Sequence, residues 1–488
     1  MKGHTVLAFF SAVMAVLLIL SELFPASGVT IDELYLRFPT LHSLVESRKQ
    51  ESTATAIDTV AVQKMQLKDS LEYYHVLVDS SNLRFWLPEP HYLDSFWENV
   101  EQARKQNRTV RILHYGDSQI EMDHMTSRLR AYMQKTFGGG GPGMVPFQTT
   151  TPTFSVRQST SGDLIHLASF GDSLAVRSRG DYGPMMQSFR LSNNEATVTI
   201  KGANSNRVDN RIKQFSRVRL IANNRDGLNV SFDDLKNKHD GQRWQTANNG
   251  ISSVDFDLDS STSAMRIRVS GSADLYCMLV DDNCGVAVDN IPMRGCSGQQ
   301  FTLVNERLLA AAYRQMDIGL IILQFGGNSV PYMKNASAIS TYCTSIGRQI
   351  DHIRACCPDA KILFIGPSDM SHRVHGELQT YEVIPQLIDS LIATATTHGA
   401  AYWSIYHAMG GWNSMPQWAR QGLAGKDYIH FSQKGADLMG DNLAEAFENS
   451  RVLYQLEQRW EQQKPKPEVK KAKKEKSTKK RKKRGGRR

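Results

Sequence analysis

A serine, a histidine and an aspartate lie in local sequence contexts that suit nucleophilic attack on an ester carbonyl. Ser118 ends the apolar-rich run RILHYGDS, and Asp427 precedes His430 by three positions near the C-terminal end of the chain. A serine hydroxyl is a weak nucleophile until a base removes its proton, and a carboxylate that orients the imidazole makes histidine such a base. The spacing therefore predicts a catalytic triad of Ser118, His430 and Asp427.

The segment after Ser118 predicts a helix that carries this serine in its first turn. The run before the serine is apolar and ends at a glycine, which is typical of a strand followed by a sharp turn. Residues 120–137 contain neither Gly nor Pro, and apolar residues recur along them at helical spacing. The main-chain NH of Ser118 is then expected to point at the substrate carbonyl, where it donates to the developing oxyanion.

A second Gly-Asp-Ser run, at residues 171–173, competes for the role of nucleophile. Gly180 and Gly183 follow Ser173, so that no helix is expected after it, and the surrounding segments are short and alternating. A motif counts only in its predicted structural context. We therefore assign the nucleophile to Ser118.

Four short blocks of the chain, taken together, resemble the SGNH (GDSL-type) hydrolase family. The blocks are Gly116-Asp117-Ser118, Gly298, Gly327-Asn328 and Asp427-Tyr428-Ile429-His430. The resemblance spans roughly residues 92–450 and implies a carboxylic-ester hydrolase. It also implies an oxyanion hole formed by the main-chain NH groups of Ser118 and Gly298 and the side-chain amide of Asn328. No metal or cofactor is implied.

A β-rich segment between the serine and glycine blocks makes the chain similar to the exported peptidoglycan O-acetylesterases. Their insert resembles a carbohydrate-binding jelly roll. The similarity implies removal of O-acetyl groups from a cell-wall or other polysaccharide, with peptidoglycan as the first candidate, through an acetyl-serine intermediate. Three alternatives remain open: an O-acetyltransferase that uses the same site, with a membrane acyltransferase as acetyl donor; a lipase or thioesterase; and a non-catalytic glycan-binding or cell-wall scaffold protein.

The catalytic segments alternate between strand and helix patterns, which predicts an α/β fold with a parallel sheet covered on both faces. We expect a three-layer α/β/α, flavodoxin-like SGNH domain with a mostly parallel five-stranded sheet, interrupted by an all-β, jelly-roll-like insert. Ser118, Gly298 and Asn328 all follow predicted strands, so they are expected at the carboxyl edge of the sheet. Predicted strands lie near Val286, near Ile318, at 361–365 and at 400–405, and predicted helices at 93–105, 303–316, 338–356 and 382–397.

Changes in sequence pattern predict the boundaries of the domains. The expected parts are a signal peptide or membrane anchor (1–28), an N-terminal spacer with some helix (29–91), the split SGNH domain (92–146 and 285–450), the all-β insert (147–284), and the end of the last helix with a disordered tail (451–488). Alternating apolar and polar residues at 254–259 and 265–269 predict strands in the insert. The insert either binds glycan or acts as a structural lid or spacer. Glycan binding calls for exposed aromatic side chains that stack on sugar rings, and Trp244 is the one tryptophan of the insert.

The two ends of the chain predict where the protein works. Residues 6–20 are apolar except for Ser11 and follow Lys2, which is typical of a secretory signal, so we expect export to the periplasm or cell envelope. The net charge of +9 comes from residues 464–488, which hold 15 of the 58 basic residues and only two acidic ones. This tail is either solvated or binds an anionic polymer or membrane surface. Export makes nucleic acid an unsuitable partner. The six cysteines predict no disulfide scaffold, although a Cys277 to Cys284 bridge stays open.

Overall fold

The structure of the protein is a computed structural model, which describes residues 12, 16, 29–31, 34–36, 59–171, 180–238, 243–246 and 249–464. The chain forms two units, Met1–Ser70 with Gln463–Arg488, and Leu71–Gln462. In the described part of the first unit, β1 (Val29–Ile31) pairs antiparallel with β2 (Leu34–Leu36). The basic tail from residue 465, Ser173 and all but two positions of the predicted signal or anchor lie outside the described residues. No helix of the described residues is long and apolar enough to cross a membrane.

The second unit contains the remaining strands. They are β3 (Phe85–Trp86), β4 (Thr109–Gly116), β5 (Gly143–Val145), β6 (Val156–Gly162), β7 (Ile165–Ala168), β8 (Gln187–Gly202), β9 (Phe215–Asp234), β10 (Arg243–Thr246), β11 (Gly250–Thr262), β12 (Ala264–Asp281), β13 (Gly285–Pro292), β14 (Ile318–Gln324), β15 (Lys361–Ile365), β16 (Ser371–Val374), β17 (Glu377–Thr380) and β18 (Ala401–Trp403).

The helices lie mainly between the strands of the catalytic segments. They are α1 (Thr59–Ser80), α2 (Asp94–Ala103), α3 (His124–Phe137), α4 (Glu306–Tyr313), α5 (Ala336–Cys356), α6 (Val383–Thr397), α7 (Ile405–Ala408), α8 (Ser414–Arg420) and α9 (Gln433–Gln463). Short 3₁₀ turns cover Ser118–Ile120, Phe301–Leu303 and Gly327–Tyr332.

The catalytic segments form one six-stranded sheet in the order β13, β4, β14, β15, β18, β3. The first five strands run parallel to one another, and β3 adds an antiparallel edge. The sheet thus has one strand more than the five predicted. The extra strand comes from residues 85–86, inside the predicted N-terminal spacer. Two residues are too short to produce a periodic signal, and only their pairing with Tyr402 and Trp403 makes them a strand.

Both faces of this sheet are covered by helices. Successive side chains along a strand point to opposite sides, so each strand contributes to two cores. On β4, Ile112 packs into one core, which α2, α3 and α9 also enter, whereas Leu113 packs into a second core shared with α4, α5 and α6. The central strands are therefore buried along nearly their whole length, rather than alternating between buried and exposed residues. The prediction of an α/β fold is confirmed.

Strands β5 to β12 form a separate antiparallel sheet of eight strands with a hydrophobic core of its own. Its long central strand β12 pairs with β8 and β9, and its last residues pair with β5. The sheet begins at Gly143, four residues before the predicted start of the insert. All six cysteines lie among the described residues and are free thiols, so Cys277 and Cys284 form no bridge.

Candidate active site

Three neighbouring parallel strands bring the predicted catalytic blocks to one edge of the sheet. β13, β4 and β14 are adjacent, and Gly298, Ser118 and Asn328 each follow the carboxyl end of one of them. The carboxyl ends of parallel strands meet at the same edge, which is where sites form in open α/β sheets. Segments more than 200 residues apart therefore meet because their strands are paired side by side.

Ser118, His430 and Asp427 form a continuous chain of hydrogen bonds. The Ser118 Oγ lies 2.8 Å from Nε2 of His430, and Nδ1 of the same ring lies 2.8 Å from Oδ2 of Asp427. Oδ1 of Asp427 accepts from the main-chain NH groups of Ile429 and His430. Partial burial raises the pKa of Asp427, but the hydrogen bonds from the imidazole and the two NH groups outweigh it and leave the pKa below its ordinary value. The carboxylate is thus ionised where it meets the imidazole.

The turn that carries Ser118 differs from the predicted one. The serine begins a 3₁₀ turn that ends at Ile120, and the backbone of Met122 and Asp123 then adopts positive φ angles of 61° and 65° before α3 begins at His124. Asp123 is buried and paired with Arg130, with 2.6 Å between Oδ2 and the guanidinium, which holds this break. Ser118 is therefore not in the first turn of the long helix, and the prediction that it would be was wrong.

Asn328 links the serine block to the glycine block. Its side-chain NH₂ donates to the carbonyl of Cys296 at 2.9 Å and to Oδ2 of Asp117 at 3.2 Å. These acceptors lie two residues before Gly298 and one residue before Ser118, so the amide connects both turns. Among the described residues, no acceptor is hydrogen-bonded to the main-chain NH of Ser118 or Gly298. The NH groups of Ser118 and Gly298 are thus available to a ligand, whereas the Asn328 amide already donates to two acceptors.

Only glycine fits at position 298. Its φ angle is +82°, in the left-handed region that side chains disfavour, and a Cβ there would lie 2.8 Å from the Cβ of Phe325. The preceding residue is fixed as well, because the Tyr342 hydroxyl donates to the carbonyl of Ser297 at 2.7 Å. The turn that presents the Gly298 NH is therefore rigid.

Gln119 holds the histidine loop in place, a role that sequence reasoning missed. Its side-chain NH₂ donates to the carbonyl of Ile429 at 2.7 Å, and its Oε1 accepts from the NH of Phe431 at 3.3 Å. The amide thus bridges the residues on both sides of His430. Position 119 directly follows the nucleophile, and that adjacency is the one signal in the sequence that pointed to it.

Asp117 is buried directly beside Ser118. Burial raises its pKa to about 6, although the hydrogen bond from the NH of Gln119, the charge of His430 and the amide of Asn328 act in the opposite direction. Near neutral pH this carboxylate therefore carries its charge at a cost in stability.

We expect Asp117→Asn to reduce the loss of stability that the protein suffers as pH rises. The pKa of about 6 in the native state exceeds the ordinary value of 3.8, so the native state holds this proton more tightly than the unfolded chain does. The resulting stability is fully present below the unfolded pKa and is lost as pH rises through 6. Urea unfolding is measured at a pH below 3.8 and at a pH above 6. Between these two conditions, the free energy of unfolding should fall by about 3 kcal/mol more in the wild type than in the variant. Parallel pH profiles would contradict the burial argument.

Two side chains of the predicted triad are nearly half exposed to solvent. The side chain of His430 is 46 % exposed and that of Asp427 is 47 % exposed. Ser118 itself is half-buried. A large substrate can therefore reach the serine hydroxyl from the surface.

Comparison with known proteins relates part of this chain to a family of ester hydrolases. Residues 259–438 match the model of the GDSL-like Lipase/Acylhydrolase family. The match includes Gly298, Asn328, Asp427 and His430 and excludes Ser118, and it covers less than half of the chain. No curated protein sequence matches the chain.

A solved structure is similar to most of this chain. A structure described as "Peptidoglycan O-acetylesterase in action" has a TM-score of 0.59 and 23 % identity, and the similarity covers 74 % of this chain and 96 % of that one. Family two carbohydrate esterases from Clostridium thermocellum and Cellvibrio japonicus each have a TM-score of 0.25 and 10 % identity. They cover 60 % and 62 % of this chain, and 100 % and 99 % of their own. These last TM-scores are too low to support an argument. Over residues 259–438 the chain is thus similar to the GDSL-like lipases and acylhydrolases, in its fold it is similar to a peptidoglycan O-acetylesterase, and the protein is a carboxylic-ester hydrolase.

Proposed function

We propose that this protein is an exported serine esterase that removes O-acetyl groups from a polysaccharide, and that the polysaccharide is peptidoglycan. The observation that carries the proposal is the chain of two 2.8 Å hydrogen bonds from Ser118 through His430 to Asp427. The choice of peptidoglycan rests on what the neighbour of TM-score 0.59 is described as acting on. Export rests on the apolar segment at residues 6–20.

In the first half of the reaction, Ser118 Oγ attacks the acetyl carbonyl carbon while Nε2 of His430 accepts the hydroxyl proton. Asp427 stabilises the imidazolium that forms. The tetrahedral intermediate then collapses: the bond from the carbonyl carbon to the sugar oxygen breaks, and His430 donates its proton to that oxygen. The products of this half are a free sugar hydroxyl and acetyl-Ser118.

In the second half, water takes the place of the sugar. His430 accepts a proton from the water as its oxygen attacks the acetyl-Ser118 carbonyl. The bond to Ser118 Oγ breaks, the serine regains a proton from His430, and acetate leaves. The cycle thus consumes one water molecule for each ester bond broken.

The oxyanion of both halves is stabilised by the two unpaired NH groups, those of Ser118 and Gly298. In our proposal the Asn328 amide keeps its hydrogen bond to the Cys296 carbonyl and turns its second N–H from Asp117 to the oxyanion. The bond to Asp117 is the longer of the two, at 3.2 Å against 2.9 Å, so it is the one we expect to yield. Asp117 then positions Asn328 and is not itself a catalytic residue.

The open site supports hydrolysis of a polymer substrate. A transferase needs to exclude water from its acyl-enzyme, whereas the base of this enzyme is nearly half exposed. For the same reason a long glycan strand can lie across the surface without entering a tunnel. We therefore place hydrolysis ahead of transfer to a second sugar.

Acetate release from three substrates tests the proposal. The purified protein is incubated with O-acetylated peptidoglycan, acetylated xylan and 4-nitrophenyl acetate. We expect kcat/KM per acetyl group to be about tenfold higher on peptidoglycan than on xylan, which corresponds to about 1.4 kcal/mol of selective transition-state binding. A preference for xylan would overturn the peptidoglycan assignment. Transfer of acetyl to an added glycan in place of acetate release would overturn hydrolysis.

The C-terminal tail supplies a further partner in this proposal. The tail, with its 15 basic residues, binds an anionic envelope polymer or membrane surface and holds the enzyme near its substrate.

A further inference from the structure

A groove of 690 Å³ opens beside the glycine and asparagine turns of the catalytic site. Its walls come from residues 295–299, from the 3₁₀ turn that contains Asn328, and from the first turns of α5. The volume lies within the range of about 300–1,000 Å³ typical of sites for small ligands. Because Asn328 belongs to the wall and also bonds to Asp117, which precedes Ser118, the groove adjoins the turn that carries the serine.

Tyr332 supplies an unpartnered aromatic surface to this groove. The residue is 80 % exposed, the largest exposure of any large hydrophobic side chain among the described residues. It ends the 3₁₀ turn Gly327–Tyr332, four positions after Asn328, and Pro331 stiffens the turn. At about 2.0 Å of rise per residue, the two backbone positions lie about 8 Å apart along the turn. A sugar ring next to the point of attack can thus reach both residues.

Two amides complement the aromatic ring. Oε1 of Gln299 accepts from the hydroxyl of Ser297 at 2.9 Å, and Oδ1 of Asn335 accepts from the NH of Ala338 at 3.0 Å as the N-cap of α5. These bonds fix each amide by its oxygen. No described residue accepts from either NH₂ group, so both are free to donate to a ligand.

The chemistry of the groove selects for neutral, hydroxyl-rich ligands. Among the described residues that line it, none is Asp, Glu, Lys, Arg or His, and the remaining polar groups are hydroxyls and amides. An anionic ligand would find no cation there, and a long acyl chain would leave the amide donors unsatisfied. A sugar ring suits both the aromatic side chain and the amide donors of the groove, because its CH face packs on an aromatic ring and its hydroxyls accept hydrogen bonds from amides.

We propose that this groove is a glycan subsite in which Tyr332 stacks against a pyranose ring of the acetylated polysaccharide and Gln299 and Asn335 donate to its hydroxyls. This inference deepens the proposed function and rests on it for the identity of the polymer. It also moves the sugar-binding role from the insert to the catalytic domain. Among the described side chains of the insert, no aromatic is exposed; the side chain of Trp244 lies outside them.

Binding by the inactive Ser118→Ala protein tests the subsite without depending on turnover. The probes are soluble O-acetylated peptidoglycan glycan strands and acetylated xylotetraose, titrated by calorimetry. We expect Tyr332→Ala, in the Ser118→Ala background, to weaken binding of the peptidoglycan strands about tenfold, whereas Tyr332→Phe, which keeps the ring, changes it less than about twofold. Tyr73→Ala is the matched control, because Tyr73 is also exposed, at 63 %, and lies on α1 outside the groove.

The catalytic enzyme supplies the second measurement. With Ser118 intact, Tyr332→Ala should raise KM for the acetylated glycan about tenfold and leave kcat within about twofold, since the ring binds the polymer and not the reacting carbonyl. Equal binding by Tyr332→Ala and the parent protein would overturn the subsite even where acetate release is observed. Loss of binding without acetate release from any polymer would instead keep the subsite and overturn the esterase proposal. If Tyr332→Ala weakened binding of acetylated xylotetraose but not of the peptidoglycan strands, the groove would be assigned to xylan.

Discussion

Replacement of Ser118 by alanine should lower kcat/KM for ester hydrolysis by about 10⁴-fold or more, because the attacking atom itself is removed. The fold should remain intact, since the serine is half-buried and its hydroxyl bonds only to His430. Acetate release from 4-nitrophenyl acetate and from O-acetylated peptidoglycan measures the loss. Circular dichroism and the unfolding midpoint should match those of the wild type.

Two companion variants make this result specific. Ser173→Ala, in the competing Gly-Asp-Ser run, should retain full activity. Asp427→Asn should lower kcat/KM by about 10²-fold, which is a smaller effect than is typical of a buried triad carboxylate. The Asp427 side chain is 47 % exposed, so water partly replaces its effect on His430. Retained activity in Ser118→Ala, or its loss in Ser173→Ala, would overturn the assignment of the nucleophile.

Arg111→Leu should destabilise the protein by about 3–5 kcal/mol, the largest effect on stability that we predict for a single substitution. Arg111 is 2 % exposed and binds two carboxylates that are fully buried, Asp281 and Asp289. Its guanidinium donates to both oxygens of Asp289 at 2.7 and 2.9 Å and also to Asp281. Without the arginine, Asp289 loses its cation, and Asp281 keeps only the hydrogen bonds from Arg217, at 2.8 and 3.0 Å.

This ion cluster joins the six-stranded sheet to the eight-stranded sheet of the second unit. Arg111 belongs to β4 beside the nucleophile, Asp281 ends β12 of the insert, and Asp289 belongs to β13, which carries the chain back into the catalytic sheet. Burial raises the pKa of Asp289 despite the charge of Arg111. The cluster therefore holds the point where the insert leaves the catalytic domain.

Urea unfolding of Arg111→Leu and Arg128→Leu compares a buried with an exposed arginine. Arg128 also binds a carboxylate through two nitrogens, at 2.6 and 2.9 Å from Asp441, but both partners are nearly half exposed. Arg128→Leu should therefore lower the free energy of unfolding by less than about 1 kcal/mol. Where Arg111→Leu is too unstable to purify, Arg111→Lys keeps a charge but not the planar fork and should give an intermediate loss. Equal losses in Arg111→Leu and Arg128→Leu would contradict our account.

The elements around the site differ in how far local sequence could predict them. The helices predicted at 93–105, 338–356 and 382–397 lie at Asp94–Ala103, Ala336–Cys356 and Val383–Thr397, because apolar residues recur along each of them at helical spacing. Strand β3 and the 3₁₀ turn at Ser118 were not predicted. A two-residue strand exists only through its partner β18, and the break before α3 depends on the buried pair of Asp123 with Arg130.

The same division holds for the site. By its residue types and their order, the sequence alone determined that this chain carries a serine, an imidazole with its acid, and glycine and asparagine turns after buried strands. Only the tertiary structure decided that Gln119 is hydrogen-bonded to the histidine loop and that Asn328 bonds to both Asp117 and the Cys296 carbonyl. It also decided that the side chain of Tyr332 is exposed. The physical reason is that motif residues reflect local chemistry. Contacts between turns instead arise from the pairing of β13, β4 and β14, whose alignment no single segment encodes.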